Sequence, residues 1–299
     1  MFRAIKFLIE TNLFISIAAV CFLWANIFLL DIQSHSFIFL SLQVFFSTWF
    51  VYQISRWIYF KKGEYSNKDE IVAQWFERFP NFNKFTIYVS GSLAVFFTFF
   101  LHLNTIIVLG IIGGISVLYP LPILKPFGIQ TRLRDFPFVK IFLIAFVWSA
   151  TSVILPYTEV QHQHPVDLFR IVILLFLIQF IYIFFITLPF DINDAETDKS
   201  TNMHTIASVF GVNKSKFICF MLSIIYVFVF IFIFMLINWM HLPNKYLTDA
   251  TIISIIALIV LLQIYTQLKS DKVLKLWIKI IYDGSMILYC LLIYFTKFR

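Results

Sequence analysis

The sequence predicts an all-α, polytopic membrane protein, a bundle of about nine transmembrane helices around a central cavity. Three observations lead there. Of the 299 residues 61% are hydrophobic and only 13% charged, with Phe alone present 39 times. Such a composition is too apolar for a soluble domain. The apolar residues form long continuous runs instead of alternating, which suits helices of about 20 residues and argues against a barrel. The positive charges, finally, segregate to alternate loops.

The elements follow in order. MFRAIKFLIETNLF is no signal peptide, because Glu10 and Asn12 interrupt its apolar stretch and no small-residue cleavage site follows. It reads as a short cytoplasmic helix leading into the first span. Apolar segments then fall at about 13–30, 37–60, 85–103, 105–119, 138–156, 166–188, 217–238, 247–267 and 276–296, most near the length a spanning helix needs. The fourth is short and holds Gly110, Gly113 and Gly114, small residues that would let helices approach closely. Residues 1–299 read as a single transmembrane domain.

With the N-terminus inside and nine spans threaded, all but four of the 23 Lys and Arg residues lie on the cytoplasmic side. The exceptions are Arg170, Lys245, Lys297 and Arg299. This is the positive-inside pattern. It accounts for the net charge of +7, so the charge implies a bilayer and no nucleic acid. The cytoplasmic loops 61–84, 120–137, 189–216 and 268–275 are long and ionisable, and function tends to sit in such loops. Loop 61–84 contains a stretch that could form a surface helix with Trp75 and Phe76 facing lipid. Cys21, Cys219 and Cys290 show no metal or disulfide spacing and read as small hydrophobes.

Phe190–Thr205, FDINDAETDKSTNMHT, stands out. Asp191, Asp194 and Asp198 recur at i, i+3 and i+7 just after Pro189, so a helix would place them on one face, the outer two ~10 Å apart. Three like charges so stacked repel, and a divalent cation or a cationic side chain relieves the repulsion. Magnesium suits a few carboxylates plus phosphate oxygens. The plainer alternative is a solvated acidic loop with one Asp capping a helix. Carboxylates are costly at a membrane boundary and tend to be functional there. Asp283, inside the last span, is a second such carboxylate, expected to face the bundle and pair with a Lys or a hydroxyl. His162 and His164 lack the partner cluster of a metal site. No P-loop, GxGxxG or HExxH motif occurs.

The stretch from Asp191 to Gly211 resembles the second aspartate-rich motif of the UbiA-type intramembrane prenyltransferases, D-x-x-D-x-x-x-D-(K/R) followed by T-(L/I) and a Gly. Asp191, Asp194, Asp198, Lys199, Thr205 and Gly211 match it. The segment SVLYPLPILK, ending at Lys125, is similar to the Y-P-L-x-K stretch of that family. The resemblance implies an enzyme of the inner membrane with its working loops cytoplasmic. It would transfer an isoprenyl group from its diphosphate to an aromatic or other lipid-soluble acceptor, with Mg2+ as cofactor. Asp191, Asp194 and Asp198 would be catalytic and hold the metal. Lys125, Lys199, Arg56, Gln53, Tyr119 and Tyr52 would bind substrate.

One departure is prominent. The first aspartate-rich motif of that family belongs at the inner end of span two, where this chain reads FVYQISRWIYF. Tyr52 and Gln53 stand near the expected Asn-Asp and Arg56 near the next Asp, so two magnesium sites are not expected. Either Arg56 replaces one metal as a phosphate ligand, its planar fork suiting phosphate oxygens, or it pairs with the aspartates and closes the site. Arg56 is also placed as a positive-inside arginine would be. Two other readings follow: a non-catalytic isoprenoid- or quinone-binding relative of the same fold, and a membrane transporter. The latter should show internal repeats with broken helices, and no clear repeat is seen.

Overall fold

The computed structural model describes residues 2–61, 70–119, 121, 136, 138–161, 166–200, 204–239 and 272–298. Every regular element described is a helix. They are α1 (Phe2–Glu10), α2 (Leu13–Leu30), α3 (Phe37–Lys61), α4 (Glu70–Arg78), α5 (Pro80–Thr98) and α6 (Leu103–Leu118). After these come α7 (Val139–Ser149), a π-helical turn (Ala150–Ile154), α8 (Leu155–Val160) and α9 (Val166–Ser200). The last are α10 (Ile206–Phe210), α11 (Val212–Trp239) and α12 (Lys272–Lys297).

Among the described residues five helices are long and apolar enough to cross a membrane: Leu13–Leu30, Phe37–Ile58, Val139–Val160, Leu168–Glu196 and Lys279–Lys297. The chain is therefore an all-α, polytopic membrane protein. Of the other expected spans, α5 covers 85–98 of the segment 85–103, and α11 runs through 217–238. The fourth is the 16-residue α6, and 247–267 lies outside the described residues.

The core gathers on α2 and α9, whose inward residues include Ala18, Phe22, Leu23, Ile178, Ile183 and Phe185. Helix α12 packs on α2, α5 on α3, and both α7 and α11 on α9. Polar side chains join three of these helices inside the apolar core. The Gln179 amide donates to Asn26 Oδ1 (2.7 Å) and to the Tyr289 hydroxyl (3.1 Å), and the Tyr182 hydroxyl pairs with Ser285 Oγ (2.7 Å). Away from water such groups must find each other, which fixes the rotational setting of α2, α9 and α12. Cys21 and Cys290 are free thiols that hydrogen-bond each other between α2 and α12.

Two local expectations are corrected. Phe76 does not face lipid: it is fully buried, its ring 5.9 Å from Phe60 and 6.2 Å from Trp57, so α4 is pinned to the C-terminal end of α3. Among the described residues the glycines of α6 do not mediate close packing either. A Cβ at Gly110, Gly113 or Gly114 would meet nothing within 4 Å among the described residues. The close approach lies elsewhere, at Gly91 of α5, where a Cβ would come 3.0 Å from the Phe50 ring.

Candidate active site

Helix α9 continues through Pro189 to Ser200, and this continuation makes the aspartate spacing a helical face. A proline inside a helix forfeits one backbone hydrogen bond. Phe185, Ile186 and Leu188 are buried around it and hold the helix together through packing. Asp191 and Asp194 line a cavity of about 360 Å³. Its other walls carry Asn12, Tyr52, Arg56, Lys140, Lys279 and Asp283, backed by Phe14, Trp148 and Phe190. Carboxylates on one side thus meet three cations from three other helices.

Asp191 is buried and accepts from Lys140 Nζ at 2.5 Å. Lys140 reads in the sequence as one more topology-setting charge; packing of α7 on α9 turns it onto the acidic face. The start of α7 is fixed by Phe138, whose left-handed backbone (φ 61°) lets its N–H donate to the His204 carbonyl at 3.1 Å. Asp198 lies one turn beyond Asp194, buried behind the cavity, and accepts a hydrogen bond from the Thr205 hydroxyl. Burial raises its carboxyl above the ordinary carboxylate range. Lys140 pulls it down, while Asp191 and Asp194 push it further up. Thr205 also caps α10, its oxygen accepting from Ser208 N at 3.2 Å. Gly211 ends α10 at φ 83° and ψ 160°, backbone that only glycine adopts without strain. Thr205 and Gly211 therefore fix the two ends of α10, the first of them beside the third aspartate.

Arg56 lines the cavity and donates to the carbonyls of Glu10 (2.9 Å) and Ile9 (3.3 Å). It thereby caps the C-terminal end of α1, where a cation is favoured by the helix dipole. Tyr52 lines the same cavity and accepts a hydrogen bond from the Trp148 indole. Tyr119 stands on the far side of Arg56, at the end of α6, in an adjoining cavity of about 290 Å³.

Gln53 is expected to bind substrate, and the structure turns it away from the cavity. It is fully buried and donates to the Thr11 carbonyl (3.2 Å) and Thr86 Oγ1 (3.3 Å), tying α3 to the α1–α2 joint and to α5. The reason is helical: adjacent residues point about 100° apart, so Tyr52 and Gln53 cannot share a face. Lys199 departs for the same reason. It follows the buried Asp198 and is exposed, outside the cavity lining. Lys125 lies outside the described residues, as do Arg132, Arg134, His162 and His164.

Besides Asp283, three charged or amide side chains enter the site without having been assigned to it from the sequence. Lys140 and Lys279 are two, and the i, i+4 spacing of Lys279 to Asp283 was a legible signal for the second. Asn12 is the third. It sits between α1 and α2 in a left-handed conformation (φ 61°), which Asn tolerates, and both its side-chain polar atoms are buried with no hydrogen-bond partner among the described residues.

A divalent cation can be tested against this donor set. The C-terminal part of α3 offers Tyr52 and Arg56 to the cavity and no carboxylate, so it does not fit a metal. On α9, Asp191 and Asp194 reach the cavity with the right chemistry for one Mg2+. Among the described residues no three His, Cys, Asp or Glu side chains form a ready-made ligand group, and Lys140 occupies an oxygen of Asp191. The arrangement fits one magnesium ion that arrives with a phosphate-bearing ligand, and not two resident ones.

The fold agrees with solved structures. An apo UbiA homologue from Aeropyrum pernix K1 superposes with a TM-score of 0.65 at 12% identity, over 91% of this chain and 96% of that one. A UbiA homologue from Archaeoglobus fulgidus bound to DMAPP and Mg2+ gives 0.64 at 14%, over 95% and 98%. The same protein bound to GPP and Mg2+ gives 0.65 at 13%, over 95% and 98%. At these identities the likeness concerns the fold. No curated protein matches by sequence. Residues 80–282 match the sequence model of the UbiA prenyltransferase family, well over half of the chain, and the chain belongs to that family.

Proposed function

We propose that the protein transfers an isoprenyl group from an isoprenyl diphosphate to an aromatic or other lipid-soluble acceptor. One observation carries this reading: Asp191 and Asp194 face Arg56, Lys140 and Lys279 across a single cavity walled by Tyr52, Trp148 and Phe190. Neither half alone suits a diphosphate. Together they match its charge, and the fold is that of relatives bound to DMAPP, GPP and Mg2+.

Asp191 and Asp194, with Asp198 behind them on the same helical face, would hold one magnesium ion, which when bound neutralises charge on the diphosphate. Arg56, Lys279 and Lys140, with Lys125 from the Y-P-L-x-K stretch, stand in for the missing first motif. They stabilise the negative charge that grows on the leaving group as the allylic carbon–oxygen bond breaks and its electron pair passes to oxygen. The aromatic walls exclude water from the allylic cation and attract it through their faces. The acceptor supplies the electron pair of the new bond and loses a proton. Asp283, in the cavity but apart from the acidic helix, is placed to receive it. Tyr119 borders the acceptor side. The chain would work as one nine-helix unit of the inner membrane, with its N-terminus and site loops cytoplasmic, as its Lys and Arg distribution argues.

A second reading has its own observation. Arg56 is engaged by α1 and Lys140 by Asp191, which suits a closed, non-catalytic isoprenoid-binding relative. Purified protein in lipid, labelled geranyl diphosphate and an acceptor panel separate the two. Diphosphate release that requires Mg2+, stops with EDTA and falls at least 100-fold in Asp194→Asn is the expected result. Binding without release would favour the second reading, and absence of binding would refute both.

A further inference from the structure

A groove of about 910 Å³ runs beside the seam where α5 packs on α3, and it shares no lining residue with the aspartate cavity. Helical spacing builds its walls. Phe50, Ile54 and Trp57 of α3 form one stripe and Ile87, Gly91 and Val95 of α5 the other, each recurring every three or four residues. Gly91 deepens the floor, since a Cβ there would come 3.0 Å from the Phe50 ring. On the rim Tyr88 and Val95 are exposed among the described residues, so the groove opens sideways. From Lys84 to Thr98 it follows α5 for about 21 Å, at a rise of about 1.5 Å per residue, while one leaflet contributes about 15 Å of hydrocarbon. A single acyl chain therefore fits along it from head group to mid-bilayer.

One end of the groove is cationic. Lys84 Nζ lies 5.5 Å from the centre of the Trp57 ring, and Lys61 Nζ lies 5.6 Å from it. Phe76 of α4 packs against the same indole and holds it in place. Neither lysine has a carboxylate partner among the described residues. Two ammonium groups gathered on one ring repel each other, and the indole face offsets only part of that. An anion between them removes the rest. Lysine is a compact point charge that suits phosphate, and Trp favours the head-group level of a bilayer. Beyond Lys84 the groove lining carries no charge. A cationic mouth on an uncharged, chain-length groove is complementary to an anionic amphiphile.

We propose that this groove binds one anionic phospholipid, with its phosphate between Lys61 and Lys84 and one acyl chain laid along α3 and α5. The uncharged walls alone would accept any lipid chain. The two lysines make the site selective for a head group with net negative charge.

The test uses dibrominated phosphatidylglycerol, whose bromine atoms quench indole emission on contact, against phosphatidylcholine with the same brominated chains. Each is titrated into phosphatidylcholine vesicles that carry the full chain. The chain holds seven Trp, so the share of Trp57 is read as the difference between the native protein and Trp57→Phe. A lysine near the head groups is worth about fivefold, so the native protein should prefer the anionic lipid about 25-fold. Lys61→Gln or Lys84→Gln should each lower the preference about fivefold, and the double variant should show none. Ser92→Phe, which fills the exposed wall, should weaken quenching by both lipids. Equal quenching by the two lipids in the native protein overturns the proposal, as does a preference that survives the double variant. Displacement of phosphatidylglycerol by inorganic phosphate, at an ionic strength matched with chloride, would reveal a free-phosphate site and overturn it too. Should Trp57→Phe not fold, the lysine variants are read on total emission, and an unchanged preference there is equally fatal.

Discussion

Tyr52 and Gln53 show how one helical step divides two neighbours between different tasks. Tyr52 joins Trp148 in the cavity wall, whereas Gln53 ties α3 to the Thr11 carbonyl and to Thr86. Arg56, one turn further, reaches both the cavity and the end of α1. At the same scale the Lys140–Asp191 pair is exposed by only 17% and 2% at its two side chains. Breaking one partner of a pair this deep leaves an uncompensated charge, at a cost of about 3–5 kcal/mol. Lys140→Met should therefore lower the unfolding midpoint markedly in detergent without Mg2+. Lys140→Met combined with Asp191→Asn should lose much less than the sum of the two single changes. An additive result in that double-mutant cycle would show that the pair carries no coupling.

At the scale of elements, α9 carries the argument. Its apolar stretch spans the membrane, and the same helix runs on past Pro189 to present the aspartates. The setting of α9 against α2 and α12 rests on Gln179, Asn26 and Tyr289. Hydrogen bonds of this kind contribute about 0.6 kcal/mol on average and up to nearly 2 kcal/mol. Asn26→Ala removes one acceptor of a shared donor, so a loss within that range is expected from thermal unfolding in detergent. Binding of geranyl diphosphate should weaken in parallel, because Asp191 and Asp283 sit on two of the three helices that the network aligns. A stability change with unaltered binding would mean that the helices keep their setting through apolar packing alone.

For the whole molecule, orientation is the open quantity. Reporter cysteines placed in a background free of Cys21, Cys219 and Cys290 can measure it. Ser200→Cys should react with an impermeant thiol reagent only from the cytoplasmic side, and Ser34→Cys only from outside; the reverse would invert the assigned topology. The sequence by itself determined the helical, membrane-spanning class, because apolar runs and charge asymmetry are one-dimensional patterns. It also determined the acidic face of α9, because i, i+3 and i+7 is a property of a single helix. The joint at Asn12 was visible only as a break in an apolar stretch. What faces Asp191 could not be read in this way, since Lys140 and Arg56 lie 51 and 135 positions away and look like any other inside charge. The tertiary structure alone decided that Lys140 meets Asp191, that Gln53 and Lys199 turn aside, and that no described residue packs closely on the glycines of α6. Those outcomes depend on how each helix is rotated about its axis, and packing between helices sets that rotation.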